Sequence, residues 1–402
     1  MTTNNQQSQT RPGLTKKQKC LYCGNNPVNH RVTYFLEWIG GVLSPYENSI
    51  TNSWFGRTGW KLAISMERFF FRCFTFIGIG RWNTDSKLIV LDRGRVMFEE
   101  AQRRGIPIQS FIIYGKPIDT YKAYINGTWM IFQGLPRKEM EIQTVWIDDK
   151  AILKKKLLES KIPAPRGGSV RTLEKAMSLF NTLQKPVITK PRSGSRGRHT
   201  TTMINTASEL TEAFRIAQMI SPEVVIEEHI FGSVYRGTVV GGELVGVLAG
   251  DPPRVVGDGV STIFELIKKK NTDLNPAIHE YKITSLTHNF LARSNYTVHD
   301  VLPKDTILDL SEKIGTSYGG SSTELFDTAH PKIKEYLTRA GTVVNDNLIG
   351  FDFIIPDPLS DPDTQKWGII ECNSLPFINL HHAPVHGTPR NVAKYVWDLW
   401  EK

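Results

Sequence analysis

Apolar positions along this chain recur with two periods, every second residue in some runs and every third or fourth in others. The switches between them mark out strands and helices. Residues 87–91 (Lys-Leu-Ile-Val-Leu) read as a short buried strand. Residues 93–104 carry helical spacing that stops at Gly105, and 108–114 read as a second strand. That order is a β-α-β unit, so a small open α/β domain is expected over 81–147. Asp148-Asp149-Lys150 opens the next helix with Asp148 as its expected cap, and Pro163 and Pro165 enforce its end. Strands are expected at 186–190 and 224–228, with a Gly-rich loop at 193–200 and an amphipathic helix at 208–217 between them. Runs at 235–240 and 243–249 form a hairpin across Gly241-Gly242.

Two late runs break the apolar rule for core strands. Residues 350–355 (Gly-Phe-Asp-Phe-Ile-Ile) and 367–373 (Trp-Gly-Ile-Ile-Glu-Cys-Asn) carry acidic or amide oxygens where a core strand should carry none. Alternation places Asp352 on the face opposite Phe351 and Phe353, and Glu371 and Asn373 on one common face. Hard oxygen ligands on neighbouring strands suit Mg²⁺, with phosphate oxygens completing the octahedron.

Length and charge narrow the field further. A chain of 402 residues holds more than one core, and its formal charge of +9 favours anionic partners. The basic residues are scattered rather than blocked, so a nucleic-acid partner is not expected. The first 18 residues lack the apolar core of a secretory signal and read as a disordered tail. No apolar run is long enough to cross a bilayer. Four cysteines are a poor disulfide framework at this length, so a cytoplasmic location is expected. Cys20-Leu-Tyr-Cys23 looks like half of a zinc ribbon, with His30 as a candidate third ligand. No fourth ligand is evident, and a local turn is the reading kept. The aromatic stretch 29–80 interleaves Phe69, Phe70, Phe71, Phe74 and Phe76 with Arg57, Lys61, Arg68 and Arg72. Packing of an extra subdomain is preferred there over a membrane-surface element.

The strand ending at Lys190-Pro191 leads into Arg192-Ser193-Gly194-Ser195-Arg196-Gly197-Arg198-His199. Glycines let backbone N–H groups approach phosphates, the serines add donors, and Lys190 and the arginines neutralise charge. This is not a P-loop, because no Gly-Lys-Ser/Thr follows, and the glycine spacing is not that of a dinucleotide fingerprint. An exposed hairpin would have the same composition.

Order along the chain sharpens the picture. Asp149-Lys150, Lys190-Pro191 with its loop, Val225-Ile-Glu227-Glu228-His-Ile230-Phe-Gly232, Arg236, Asp352 and Glu371-Cys-Asn373 follow in a series that resembles the ATP-grasp superfamily. Pro252-Pro-Arg-Val-Val-Gly-Asp-Gly-Val260, followed by Phe264-Glu-Leu-Ile, and Gly387-Thr-Pro-Arg-Asn-Val392 resemble the ATP-grasp region of cyanophycin synthetases and related amino-acid ligases. The resemblance covers about residues 148–395. It implies an α+β, ATP-grasp fold, with two α+β subdomains sandwiching nucleotide over 148–402. Before it come the tail (1–28), the aromatic extension (29–80) and the small α/β domain (81–147).

By this resemblance Lys150 and Lys190 grip ATP phosphates, with Ser193, Gly194, Ser195 and Gly197 in the phosphate loop. Glu227 accepts from the adenine amino group, and Glu228 and Ile230 offer backbone groups to the ring. Asp352, Glu371 and Asn373 hold Mg²⁺. Arg236, with Lys190 and Arg196, serves the transferred phosphoryl and acyl groups. His386 and Arg390 are the candidate substrate contacts. Two departures stand out. Val234 occupies a position where many relatives carry an acidic ribose contact, a loss of about 1 kcal/mol for one hydrogen bond. The loop has Arg196 where the cyanophycin pattern has histidine, and His199 where it has glycine. The expected function is an ATP- and Mg²⁺-dependent carboxylate–amine ligase acting on an amino acid or peptide. An inactive nucleotide-binding scaffold and a small-molecule kinase are the alternatives. A homo-oligomer is a further expectation, since related ligases commonly self-associate.

Overall fold

The computed structural model describes residues 20–23, 27–39, 66–137, 146–147, 149–192, 197–311 and 313–401. The chain forms two compact units, Met1–Leu43 with Gly167–His229, and Ser44–Arg166 with Ile230–Lys402.

The first unit holds helix α1 (30–39) and a four-stranded antiparallel sheet. The sheet comprises β5 (Gly167–Val170), β6 (Val187–Pro191), β7 (Thr201–Ile204) and β8 (Val224–Glu228), in the order β5-β8-β6-β7. Helices α5 (Leu173–Thr182) and α6 (Ala207–Gln218) bury Ala176, Phe180, Leu210 and Phe214 against Val187, Val224 and Ile226. Thr206 and Glu209 close a reciprocal capping box at the start of α6, which sets where the apolar stripe begins. Gly167 is required by close approach: a Cβ there would lie 2.2 Å from the Ile226 carbonyl oxygen.

The second unit begins with helix α2 (66–76) and an antiparallel sheet of β1 (Gly80–Asn83), β2 (Ile108–Ile113), β3 (Lys116–Ile125) and β4 (Thr128–Gln133). The strand expected at 87–91 is absent. Ser86–Leu88 is a short 3₁₀ turn capped by Asp85, and only Ile89 of the run is buried. One buried side chain does not anchor a strand, and β1 takes the place beside β2, antiparallel. The small domain is therefore α+β with an antiparallel sheet, not an open α/β unit. Within the aromatic stretch, Phe71 packs its ring 4.7 Å from that of Phe111, while Phe69, Phe70 and Phe76 are exposed. Arg57 and Lys61 lie outside the described residues.

Helix α3 (Asp92–Arg103) joins this sheet to the carboxyl-terminal helix α11 (Val392–Glu401), where the Trp397 indole N–H donates to the Met97 carbonyl at 2.9 Å. A five-stranded antiparallel sheet forms the centre of the unit. Its strands are β9 (Ser233–Val240), β10 (Glu243–Gly250), β13 (Ser322–Glu324), β14 (Leu348–Ile355) and β15 (Gly368–Asn373), in the order β13-β10-β9-β14-β15. Helices α4 (Lys150–Glu159) and α9 (Pro331–Val344) cover its apolar face, burying Leu153, Leu157, Leu337, Phe351, Phe353 and Ile369. Each phenylalanine contributes about 2–3 kcal/mol by leaving water. The cap of α4 is Asp149, whose carboxylate accepts from Ala151 N–H and Ile152 N–H at 2.9 and 3.1 Å. The expected cap, Asp148, lies outside the described residues. Between β10 and β13, a satellite of β11 (Arg254–Val256), α7 (Ile263–Thr272), α8 (Ser285–Arg293) and β12 (Ile307–Asp309) builds its own small core. Short helix α10 (Asn379–His382) follows β15.

Candidate active site

In the second unit β14 lies between β9 and β15, and its register places Arg236, Asp352 and Glu371 in one row across three strands. Phe351 and Phe353 face the core, so Asp352 faces away from it. A bulge follows: Asp352 pairs with Glu371, but Phe353 pairs with Ile369. Ile369 and Glu371 are two residues apart, and on a regular strand both would face the same side. The extra residue lets Ile369 enter the core while Glu371 joins Asp352 on the opposite face.

Arg236 grips Asp352 with both arms of its fork, Nε to Oδ1 at 2.7 Å and Nη2 to Oδ2 at 2.9 Å. Burial disfavours the arginine charge, but Asp352 and Glu371 outweigh it and hold the guanidinium above its ordinary pKa. The Asn373 amide N–H donates to Asp352 Oδ2 at 3.4 Å. Lys150, the first residue of α4, places Nζ 4.0 Å from Glu371 Oε1. The Asp352 and Glu371 side chains keep 16% and 24% of their surface, enough to reach a ligand. Two carboxylates and an amide oxygen on one partly exposed sheet face are a hard donor set, and they fit Mg²⁺. The carboxylate oxygens held by Arg236 retain lone pairs for a cation.

The first unit carries a buried ion pair. Lys190 faces Val225 across the β6–β8 ladder, which sets Glu227 diagonally opposite on the same face. Lys190 Nζ lies 2.5 Å from Glu227 Oε1, with side chains 10% and 2% exposed. The next residue, Glu228, turns the other way and accepts from Gln184 N–H at 3.1 Å. Arg192 pairs with Glu223.

No protein-family model matches the chain. It is 33% identical over 322 residues to cyanophycin synthetase from Trichormus variabilis, matching 75% of this chain and 34% of that one. It is 27% identical over 271 residues to the glutathione biosynthesis bifunctional protein GshAB from Clostridium perfringens, matching 65% of this chain and 35% of that one. The chain thus spans about a third of the length of these relatives. Its fold resembles that of a bifunctional glutathione synthetase from Pasteurella multocida with a TM-score of 0.57 at 23% identity, covering 77% of this chain and 43% of that one. The chain belongs to the ATP-grasp superfamily.

In this ATP-grasp chain Ser193, Gly194, Ser195 and Arg196 lie outside the described residues. Gly197 has φ +61°, a left-handed conformation natural to glycine. Ile230 is buried in the second unit. His386 sits in a parallel bridge, its N–H donating to the Ser322 carbonyl and its carbonyl accepting from Glu324 N–H. Arg390 donates to the Val245 carbonyl at 2.8 Å and to Asp327 at 3.1 Å, and its guanidinium lies 3.8 Å above the Phe326 ring. Those contacts tie Arg390 to β10 and to the segment that follows β13. Glu324, which no motif in the sequence marks, is a buried acid that bridges β10 and α10. It accepts from Val247 N–H at 2.9 Å and meets His381 Nδ1 at 2.6 Å, while His381 Nε2 lies 2.7 Å from Thr238 Oγ1. The only trace in the sequence is an acid at the end of the short run Ser-Ser-Thr-Glu. No helix among the described residues is long and apolar enough to cross a membrane.

Proposed function

We propose that this chain is an ATP- and Mg²⁺-dependent carboxylate–amine ligase that forms an amide on an amino acid or peptide. The observation that carries the reading is the row Arg236–Asp352–Glu371, with Asn373 and Lys150 beside it. Amide formation from a free carboxylate is uphill in water, so the acid must be activated first. Attack of the substrate carboxylate oxygen on the γ-phosphorus of ATP breaks the bond to ADP and makes an acyl phosphate. A neutral amine then attacks the acyl carbon, inorganic phosphate leaves with the former carboxylate C–O electron pair, and the amine proton passes to solvent or a base.

Asp352, Glu371 and Asn373 would hold Mg²⁺, which would supply positive charge to offset that of the phosphate oxygens. Lys150 and Arg236 supply cationic N–H donors where phosphoryl and acyl oxygens gain negative charge. Lys190 and Glu227 are proposed to receive phosphate and the adenine amino group. Their ion pair keeps the lysine ammonium buried beside Glu227. No covalent enzyme nucleophile is required, and positioning and electrostatics carry the rate. Relatives named as cyanophycin synthetase and as a glutathione biosynthesis protein support this reaction class.

Phosphate release from ATP, measured with and without amine acceptors, tests the proposal. Release that requires both a carboxylate and an amine is expected. A stable phosphorylated product would instead show a kinase, and no release across amino acids and dipeptides would show a scaffold.

A further inference from the structure

We propose that Cys20, Cys23, His30 and His199 bind one Zn²⁺ as a closed structural site that clips the amino-terminal segment to the loop between β6 and β7. This goes beyond the ligase reading and does not depend on it. All four residues belong to the first unit. They come from three separate stretches: the Cys20–Cys23 turn, the first residue of α1, and the end of the loop, 176 residues from Cys23. Even so, their four donor atoms all lie within 4.8 Å of one another.

Three of the donor pairs already stand close to the edge lengths of a zinc coordination sphere, and the rest lie within 4.8 Å. Cys23 Sγ lies 3.2 Å from His30 Nε2 and 3.4 Å from His199 Nε2, and Cys20 Sγ lies 3.7 Å from His199 Nε2. With Zn–S near 2.3 Å and Zn–N near 2.0 Å, the edges of a tetrahedron run from about 3.3 to about 3.8 Å. Two thiols and two imidazoles are soft and borderline donors, which suit zinc and not Mg²⁺ or Ca²⁺. Four protein ligands leave no open position, the pattern of a structural rather than a catalytic zinc.

The surroundings of His199 are arranged for a ligand. Its Nδ1 lies 2.7 Å from the Ile216 carbonyl, an acceptor that puts the ring proton there and turns the Nε2 lone pair toward the cluster. The residue is 1% exposed and holds φ +53°, a left-handed conformation uncommon for a side chain with a Cβ. Its backbone N–H donates to the Tyr22 carbonyl at 3.0 Å, inside the Cys20–Cys23 turn. Strain of that kind persists where surrounding bonds determine it. On binding, the two thiols release their protons to water, and two thiolates with Zn²⁺ make a neutral centre that tolerates burial.

The test is metal analysis of the full chain, purified without a metal-affinity tag from zinc-supplemented culture. About one zinc per chain is expected, falling at least tenfold in Cys23→Ser and in His199→Ala. Should a variant fail to fold, cobalt titration of the unaltered chain gives the answer independently. Intense visible bands of tetrahedral Co²⁺ with a thiolate-to-metal band are expected, bleached by added zinc. A chain that neither carries zinc nor takes up cobalt in this form overturns the proposal, as does full zinc content in both variants. The measurement needs no nucleotide, so it stands or falls apart from the ligase assay.

Discussion

Asp352 and Glu371 face each other across β14 and β15, yet they are held differently, and substitutions should separate them. Asp352 is locked by two hydrogen bonds to Arg236, whereas Glu371 has Lys150 at 4.0 Å. Glu371→Gln keeps the shape and removes the anion, so Mg²⁺-dependent turnover should fall on the order of a hundredfold or more, with little change in melting temperature. Full turnover in this variant would remove Glu371 from the metal set. Asp352→Asn should lose activity equally, but it also strips the part-buried Arg236 of the carboxylate on its fork, so a lower melting temperature is expected as well. Lys190→Ala combines two effects in the same way. Calorimetry should show ATP affinity weakened tenfold or more, and stability should drop by on the order of 3 kcal/mol because Glu227 is left charged and buried. Unchanged affinity would take Lys190 out of the nucleotide site.

At the scale of elements, buried titratable groups sit where α3 and α10 meet α11 and its leading residues. Glu100 is buried, which alone would raise its pKa, but hydrogen bonds from Arg103, Asn391 and Arg104 bring it down from 4.5 to about 2. A carboxylate with a depressed folded pKa stabilises fully above its unfolded value, and that stability is lost as pH falls from about 4.5 through about 2. His382 acts at higher pH. Burial is the main cause of its fall from 6.5 to about 4, and its Nε2 accepts from Ala393 N–H at the start of α11. Its contribution is present above pH 6.5 and lost as pH falls through about 4. Melting temperature should therefore decline in two overlapping steps on acidification. Glu100→Gln should flatten the lower step and cost on the order of 2 kcal/mol at neutral pH. An unaltered acid limb in that variant would show that Glu100 does not govern it. Elements with strong local signals, such as α6 with its Thr206–Glu209 box and the β9–β10 hairpin at Gly241-Gly242, were legible in sequence. The run 87–91 was misread, because β-branched and apolar composition says nothing about whether a neighbouring strand is there to pair with.

For the whole molecule, the formal charge of +9 and the cationic groups at the proposed site predict a salt-sensitive nucleotide affinity. Raising monovalent salt from about 0.05 M to about 0.3 M shortens the screening length roughly twofold and should raise the Kd for Mg-ATP severalfold. A Kd that does not move would argue that phosphate is held by backbone donors rather than by Lys150, Lys190 and Arg236. The zinc clip belongs at this scale too, since it joins a segment near the amino terminus to a loop about 170 residues later. Cys20, Cys23 and His30 are legible as a group in the sequence, whereas His199 is not, because ligand spacing marks only residues near one another along the chain.

Local pattern by itself determined strands β2, β6, β8, β9, β10, β14 and β15, which of their residues are polar out of place, and in what order lysine, glutamate, arginine and the trio Asp352, Glu371 and Asn373 follow along the chain. That information is carried by alternation, capping and turn chemistry, all of which act over a few residues. Tertiary structure alone decided the bulge that turns Glu371 toward Asp352 while Ile369 stays in the core, and the diagonal pairing of Lys190 with Glu227. It also decided the arrival of His199 beside two cysteines. Each depends on strand register or chain closure between distant segments, and neither quantity is encoded by the spacing of residues within one segment.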